Sequence, residues 1–242
     1  MSWGPNSFTA RALVAAALLV TASAAAADIL VVRSVGPSTK SFPPGKRLQQ
    51  GTRIVLKAND RLDVLDGRGT RTLRGPGNFV AGAATGAVAS AGPVSGQRAR
   101  IGAVRGIEGG ELRPPSIWHV DVTKSSTICI AQPSVTLWRS NSTPALGLRI
   151  SRLPDGASRQ VAWEAGSSTV AWPADLPIAN GAEYRLTWPG ATAPTALRFR
   201  TLPQRPVGLE DLASFLISNQ CQAQLDMFIE TVRIPDNAPP AG

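Results

Sequence analysis

Short strand-like segments recur at regular spacing between residues 117 and 203, and this pattern constrains the fold more than any other feature of the chain. They are separated by turn signals such as Pro154-Asp155-Gly156, Asn180-Gly181 and Pro189-Gly190. The segments lie at 118–122, 126–131, 134–139, 146–151, 160–164, 169–172, 183–188 and 196–201. Short strands with turns between them are typical of a β-sandwich, which we predict over residues 117–203.

A second group of strand signals predicts a smaller β-domain over residues 28–81. Strands are expected at 28–34, 53–57, 61–65, 70–74 and 78–81, the first of them a continuous apolar run that indicates a buried strand. Asp66-Gly67-Arg68-Gly69 predicts a hairpin, because an Asp-Gly pair tolerates the positive φ angles of a tight turn. The fold class is therefore mainly β.

The segments around these two modules have a different composition. Residues 82–116 begin with a stretch of Gly, Ala, Ser and Pro without periodicity and read as a loop or linker. Residues 204–234 change to helical spacing and predict a short C-terminal helical tail, with a break at Asn219-Gln220. Its two apolar stripes are Leu209, Leu212, Phe215 and Leu216, then Leu225, Phe228 and Ile229. Residues 235–242 are expected to be disordered.

The N-terminus has the order of a secretory signal peptide. Arg11 precedes a wholly apolar stretch at 12–20, and small residues follow as far as Ala27. The alternative is a permanent membrane anchor, but a spanning helix needs about 20 apolar residues. We therefore predict a signal peptide over residues 1–27, cleavage near Ala27, and a periplasmic protein without a transmembrane span.

The chain has two cysteines, Cys129 and Cys221, and an even count in an oxidising compartment favours one disulfide between them. Two buried thiols that never meet are the alternative. A metal site is not expected, because His119 is the only histidine and there is no second cysteine pair. No cofactor is expected either.

The chain is basic, with 25 Lys+Arg against 16 Asp+Glu and a net charge of +9. Arginine greatly outnumbers lysine, and an arginine bias also arises from GC-rich coding. The charges are scattered singly, without a basic run or interleaved aromatic residues, so we expect no nucleic-acid binding. In an exported protein, an anionic envelope polymer is one candidate partner.

Catalytic motifs are largely missing from the sequence. His119 and Asp121 are two residues apart on a predicted strand and therefore share a face. No Gly-x-Ser-x-Gly elbow is present to supply a nucleophile, and no Gly-x-x-x-x-Gly-Lys loop is present to bind phosphate. A pair of distant carboxylates needs no local spacing and is left open. We expect a protein that is not an enzyme.

The first module resembles the FecR-like domain of bacterial envelopes over residues 45–77. The residues that carry the resemblance are Gly45, Leu48, Gly51, Thr52, Ile54, Leu56, Val64, Asp66, Gly67, Gly69, Leu73, Gly75, Pro76 and Gly77. It implies a small periplasmic β-domain that makes protein contacts in envelope signalling. We expect neither the anti-sigma segment nor the retained membrane helix of full regulators here, and we therefore expect an accessory with an envelope protein as its partner.

The second module is similar to immunoglobulin and fibronectin type III sandwiches. Trp172, Leu176, Gly181 and Tyr184 have the spacing of a tyrosine corner, in which the tyrosine hydroxyl bonds to the upstream backbone. An ordinary half-buried tyrosine is the alternative.

Two functions follow from these observations. The first is an exported, non-enzymatic interaction or scaffold protein of the cell envelope, accessory to envelope signalling. The alternative is a periplasmic protein that binds glycan or another envelope ligand on an exposed platform formed by Trp138, Trp163 and Trp188.

Overall fold

The computed structural model describes Met1 and residues 28–83, 112–131, 134–153, 155–202 and 206–235. The predicted signal peptide, most of the 82–116 linker and residues 236–242 lie outside these ranges. Within them the chain is mainly β and ends in two short helices, as expected. None of the helices in these ranges is long and apolar enough to cross a membrane.

The N-terminal domain contains two small sheets. β1 (Ile29–Val35), β2 (Arg47–Leu48), β4 (Arg61–Asp66) and β5 (Gly69–Arg74) form a sheet in the order β2-β1-β4-β5. β3 (Arg53–Leu56) pairs with β6 (Gly77–Val80) in the second sheet. Residues 29–32 are all buried, because alternate side chains of β1 pack on the β3–β6 sheet and on the C-terminal helices. Burial on both faces explains why this strand has a continuous apolar sequence.

The predicted hairpin joins β4 and β5, with Asp66 opposite Gly69. The positive φ is at Gly69 (144°) and not at Gly67, which corrects our expectation for the turn. A Cβ atom at Gly69 would lie 2.2 Å from the carbonyl oxygen of Val232. The C-terminal segment runs alongside β5 here: the Thr70 N–H donates to the Val232 carbonyl, and the Ile234 N–H donates to the Thr70 carbonyl, each at 2.9 Å. It therefore covers an otherwise open sheet edge.

The second module is a two-sheet β-sandwich, and a strand forms at each position predicted for it. The strands are β7 (His119–Asp121), β8 (Ser126–Ile130), β9 (Thr136–Trp138), β10 (Leu146–Leu153), β11 (Ser158–Trp163), β12 (Thr169–Ala171), β13 (Glu183–Thr187) and β14 (Thr195–Thr201). One sheet has the order β11-β10-β13-β14-β8, and the other has the order β12-β9-β7. The β14–β8 and β7–β9 pairs are parallel.

The tyrosine corner is present at the centre of this module. Tyr184 is fully buried, and its hydroxyl donates to the Pro177 carbonyl at 3.0 Å, as the spacing predicted. Its ring meets Trp172 and Phe199 edge to face at centroid distances of 5.0 and 5.4 Å. These aromatic contacts fill the space between the two sheets.

The tail forms α1 (Leu209–Ser218) and α2 (Gln222–Thr231), with the predicted break at Asn219-Gln220. The two helices contact both modules. Their apolar stripes share a core with residues of both modules, namely Leu30, Val32 and Leu65 of the first and Ile117 and Cys129 beside and within the second. The outer face of β1 and β4 is apolar, and the two helices bury it.

Candidate functional site at the junction of the two modules

A disulfide fastens the tail to the edge of the sandwich. Cys129 of β8 is bonded to Cys221, which immediately precedes α2, and their Cα atoms are 5.9 Å apart. Both cysteines are fully buried. The predicted pairing is confirmed, and the alternative of two separate thiols is wrong.

Gln224 closes the edge of β8 next to this disulfide. Gln224 belongs to α2, and its side chain is buried. Its amide nitrogen donates to the carbonyls of Ile117 and Cys129, both at 2.8 Å. Its amide oxygen accepts the N–H of Cys129 at 2.6 Å. β8 is the last strand of its sheet, so the Gln224 amide makes the hydrogen bonds that a further strand would make.

A charged network joins α2 to the N-terminal sheet. The buried Asp63 carboxylate accepts from Arg33 at 3.2 Å and from the Thr72 hydroxyl at 2.5 Å, and it pairs with Arg61 at 3.5 Å. Arg33 also binds Asp226 of α2. Burial by itself would lower the pKa of Arg33, but the hydrogen bond and the negative charges around it raise that pKa above its usual value. The Arg33 guanidinium therefore links α2 to β1 of the N-terminal sheet.

A cavity of about 370 Å³ opens beside this junction. Its charged or titratable lining residues have both signs, namely Arg33, Arg113, His119, Asp121, Lys124, Asp226 and Glu230. The volume suits a small polar molecule. The described residues nowhere bring together three side chains able to hold a metal ion.

His119 and Asp121 both line this cavity, as their shared strand face suggested, but each side chain hydrogen-bonds a different partner. The His119 Nδ1 is 2.8 Å from the Ser116 Oγ, which also accepts the Trp118 N–H at 3.3 Å as part of a turn. The Asp121 carboxylate instead accepts from the N–H and the hydroxyl of Thr123, at 2.9 and 2.6 Å. Burial lowers the pKa of His119. The His–Asp arrangement considered from sequence is therefore replaced by two local turns.

A second cavity of about 530 Å³ lies between the sandwich and the start of α1. Its lining is mostly apolar and includes Trp118, Ile130, Val135, Val207 and Leu212. This chemistry suits an aliphatic or aromatic group rather than a charged one.

The three tryptophans predicted as a ligand platform do not form one. Trp138 and Trp163 are only 5% and 2% exposed, and Trp188 is half-buried against the same core. The Trp163 ring has the Arg139 guanidinium stacked on it at 4.8 Å, and its Nε1 donates to the Ser167 carbonyl at 3.0 Å. Trp138 and Trp163 lie on strands that direct their rings into the sandwich, and Trp188, just after β13, packs against the same core, which corrects the prediction of an exposed surface.

Gln224, Arg33 and Asp63 were not singled out from the sequence, although they build the junction. The only signal was a polar residue on an apolar stripe, because Gln224 falls one helical turn after Cys221. No local sequence pattern indicates that an aspartate in the middle of a strand, such as Asp63, has a buried partner.

Protein-family models, curated proteins and solved structures were compared with the chain, and none of them matches it. The FecR-like and immunoglobulin-like resemblances therefore stay predictions carried by the residues named above.

Proposed function

We propose that this chain is an exported, non-enzymatic interaction protein of the cell envelope, a scaffold accessory to envelope signalling. The observation that carries the proposal is the core that the helical tail shares with both modules. The tail packs on the N-terminal sheet and is fastened to β8 by the disulfide and by Gln224. Two β-modules held in one arrangement offer partners preorganised surfaces, which lowers the entropic cost of association.

The FecR-like part of the proposal is supported by the structural role of the residues that carry the resemblance. Leu48, Ile54, Leu56, Val64 and Leu73 are buried together in one cluster. The turn glycines Gly45, Gly51 and Gly69 all have positive φ, the region that favours glycine. The pattern thus corresponds to a complete small β-fold.

A protein contact on this module has a candidate surface. Val55 and Val80 are 53% and 50% exposed and lie on the outward face of the β3–β6 sheet. Their register makes them diagonal neighbours, because Val55 is opposite Asn78 and Val80 is opposite Arg53. Adjacent exposed apolar side chains are suited to a protein partner.

The contact is tested by a photo-crosslinking amino acid placed at Val55 or at Val80 in living cells. We expect an adduct of the same defined mass from both positions, and none from the control position Ala171, which is exposed on β12 in the other sheet of the sandwich. Equal adducts from all three positions, or none from the two valines, would contradict the proposed contact.

Export is supported by the disulfide, since such bonds persist mainly in oxidising compartments. Mass spectrometry of the protein recovered from the periplasm should find a chain that begins at or close to Asp28. Recovery of the soluble protein with an intact Met1 would contradict export.

A non-enzymatic role is supported by the contacts of His119 and Asp121, which belong to separate turns. The purified protein should not hydrolyse reporter esters or glycosides. Hydrolysis that the His119→Ala substitution abolishes would show an enzyme instead. The rival function, glycan binding on a tryptophan platform, loses its basis because Trp138 and Trp163 are buried.

A further inference from the structure

Four arginines of the sandwich share the outer face of the five-stranded sheet. Leu148, Ile150, Leu186, Leu197 and Phe199 of β10, β13 and β14 point into the core. Side chains alternate along a strand, so the residues between them point outward. The outward residues include Arg149 on β10, Arg185 on β13, and Arg198 and Arg200 on β14.

The strand register places these arginines in a diagonal row. Arg149 is opposite Thr187, two residues from Arg185. Arg185 is in turn opposite Ala196, two residues from Arg198. Diagonal neighbours on adjacent strands are about 7–8 Å apart, so each cationic side chain lies within reach of the next. Arg200 continues the row at its end.

The row carries more positive charge than its surroundings neutralise. Glu183 pairs with Arg198 at 2.8 Å. In the part of the chain that the structure describes, no carboxylate lies within ion-pair distance of Arg149, Arg185 or Arg200. Arg149, Arg185 and Arg198 are exposed. Apart from Leu153, the adjacent outward residues are small or polar, namely Ser151, Ser158, Gln160, Ala162 and Thr187.

We propose that this arginine row binds an acidic polysaccharide that lies diagonally across the sheet. Guanidinium groups bind carboxylates in a planar fork, and the neighbouring hydroxyl and amide groups can bond sugar hydroxyls. Among the described outward positions of β10, β11, β13 and β14, the half-buried Leu153 at the end of β10 is the one large apolar residue, too little to enter a bilayer, and there is no aromatic ring to stack on bases. The inference rests on the proposed interaction function and adds to it a partner class and a surface.

The experiment is titration of the purified protein with an oligogalacturonate of defined length, with a neutral maltooligosaccharide as the ligand control. We expect binding of the acidic oligosaccharide alone, weakening as salt is added. The double substitution Arg149→Ser with Arg185→Ser should lower the affinity for oligogalacturonate about tenfold. Both arginines are replaced together because each exposed ion pair contributes little by itself. The matched control, Arg53→Ser with Arg68→Ser, removes the same charge from exposed positions of the other module and should change it less than about twofold.

Glu183→Gln gives a test that misfolding cannot mimic. It frees Arg198 from its ion pair, so the affinity should rise by about threefold, the effect of one weak surface pair. An unchanged or lower affinity would contradict the role of the row.

Three further outcomes would overturn the inference. The first is an equal loss of affinity in the two double variants, and the second is the absence of oligogalacturonate binding. The third is tighter binding to phosphatidylglycerol vesicles or to single-stranded DNA that depends on the arginine row. The crosslinks at Val55 and Val80 do not involve this face. They therefore report on the proposed protein contact independently of these results.

Discussion

Replacement of Gln224 by Met tests whether its side chain supports the edge of the sandwich. Methionine has a similar length and volume, so the substitution removes the three hydrogen bonds to Cys129 and Ile117 without opening a large cavity. Each buried backbone group left without a partner costs about 1–3 kcal/mol. The added apolar burial of Met offsets part of this sum. We expect the free energy of unfolding to fall by about 3 kcal/mol.

The measurement is urea unfolding followed by tryptophan fluorescence, with the disulfide intact. Gln222→Met is the matched control, because Gln222 is exposed on the same helix and, among the described residues, its side chain bonds Asp226 alone, at 2.9 Å. This variant should remain within about 0.5 kcal/mol of the parent. If the two variants lose the same small amount, β8 does not depend on Gln224, and the proposed replacement of a strand by a side chain is refuted.

Three further predictions follow from the described contacts. Tyr184→Phe removes the bond to Pro177 and should lower the free energy of unfolding by about 1 kcal/mol in the same urea assay; no change would contradict a stabilising tyrosine corner. Burial lowers the pKa of His119, so the folded chain binds its proton less readily than the unfolded chain. The free energy of unfolding should therefore fall as the pH drops below 6.5, and His119→Gln should reduce that pH dependence. Cys129→Ser with Cys221→Ser should cost about 4 kcal/mol and raise hydrogen exchange in β1 as well as in α2, whereas exchange confined to α2 would show that the modules do not share a core.

The strands were predictable because their signals are local. Alternation of apolar and polar residues, together with Gly, Pro and Asn turns, marks each strand of the sandwich and the hairpin of the first module. The tyrosine corner also depends on a short spacing, with Pro177 and Tyr184 in a single connection. Two local features were missed: the two-residue strand β2 was not predicted, and Gly69, not Gly67, has the positive φ of the turn.

The junction was only half predictable. Two cysteines in an exported chain indicate a pair, but an apolar helical stripe does not name the surface that it covers. The apolar run at 28–34 predicts a buried strand, but it does not indicate that one face of this strand packs against the tail. The buried contacts of Asp63 and Gln224 join residues that are far apart in sequence, and such contacts follow from packing rather than from propensity.

The arginine row shows how register can turn scattered charges into a surface. Arg149, Arg185 and Arg198 are separated by many residues, so the sequence shows no basic run. Each lies between inward apolar residues of its own strand, and antiparallel pairing then sets them two residues out of step across β10, β13 and β14. A register shift of one residue in β13 would turn Arg185 into the core, at the cost of burying a charge. The burial of Tyr184 and Leu186 therefore also determines where Arg185 lies, and the packing of the core places the charges of the outer face.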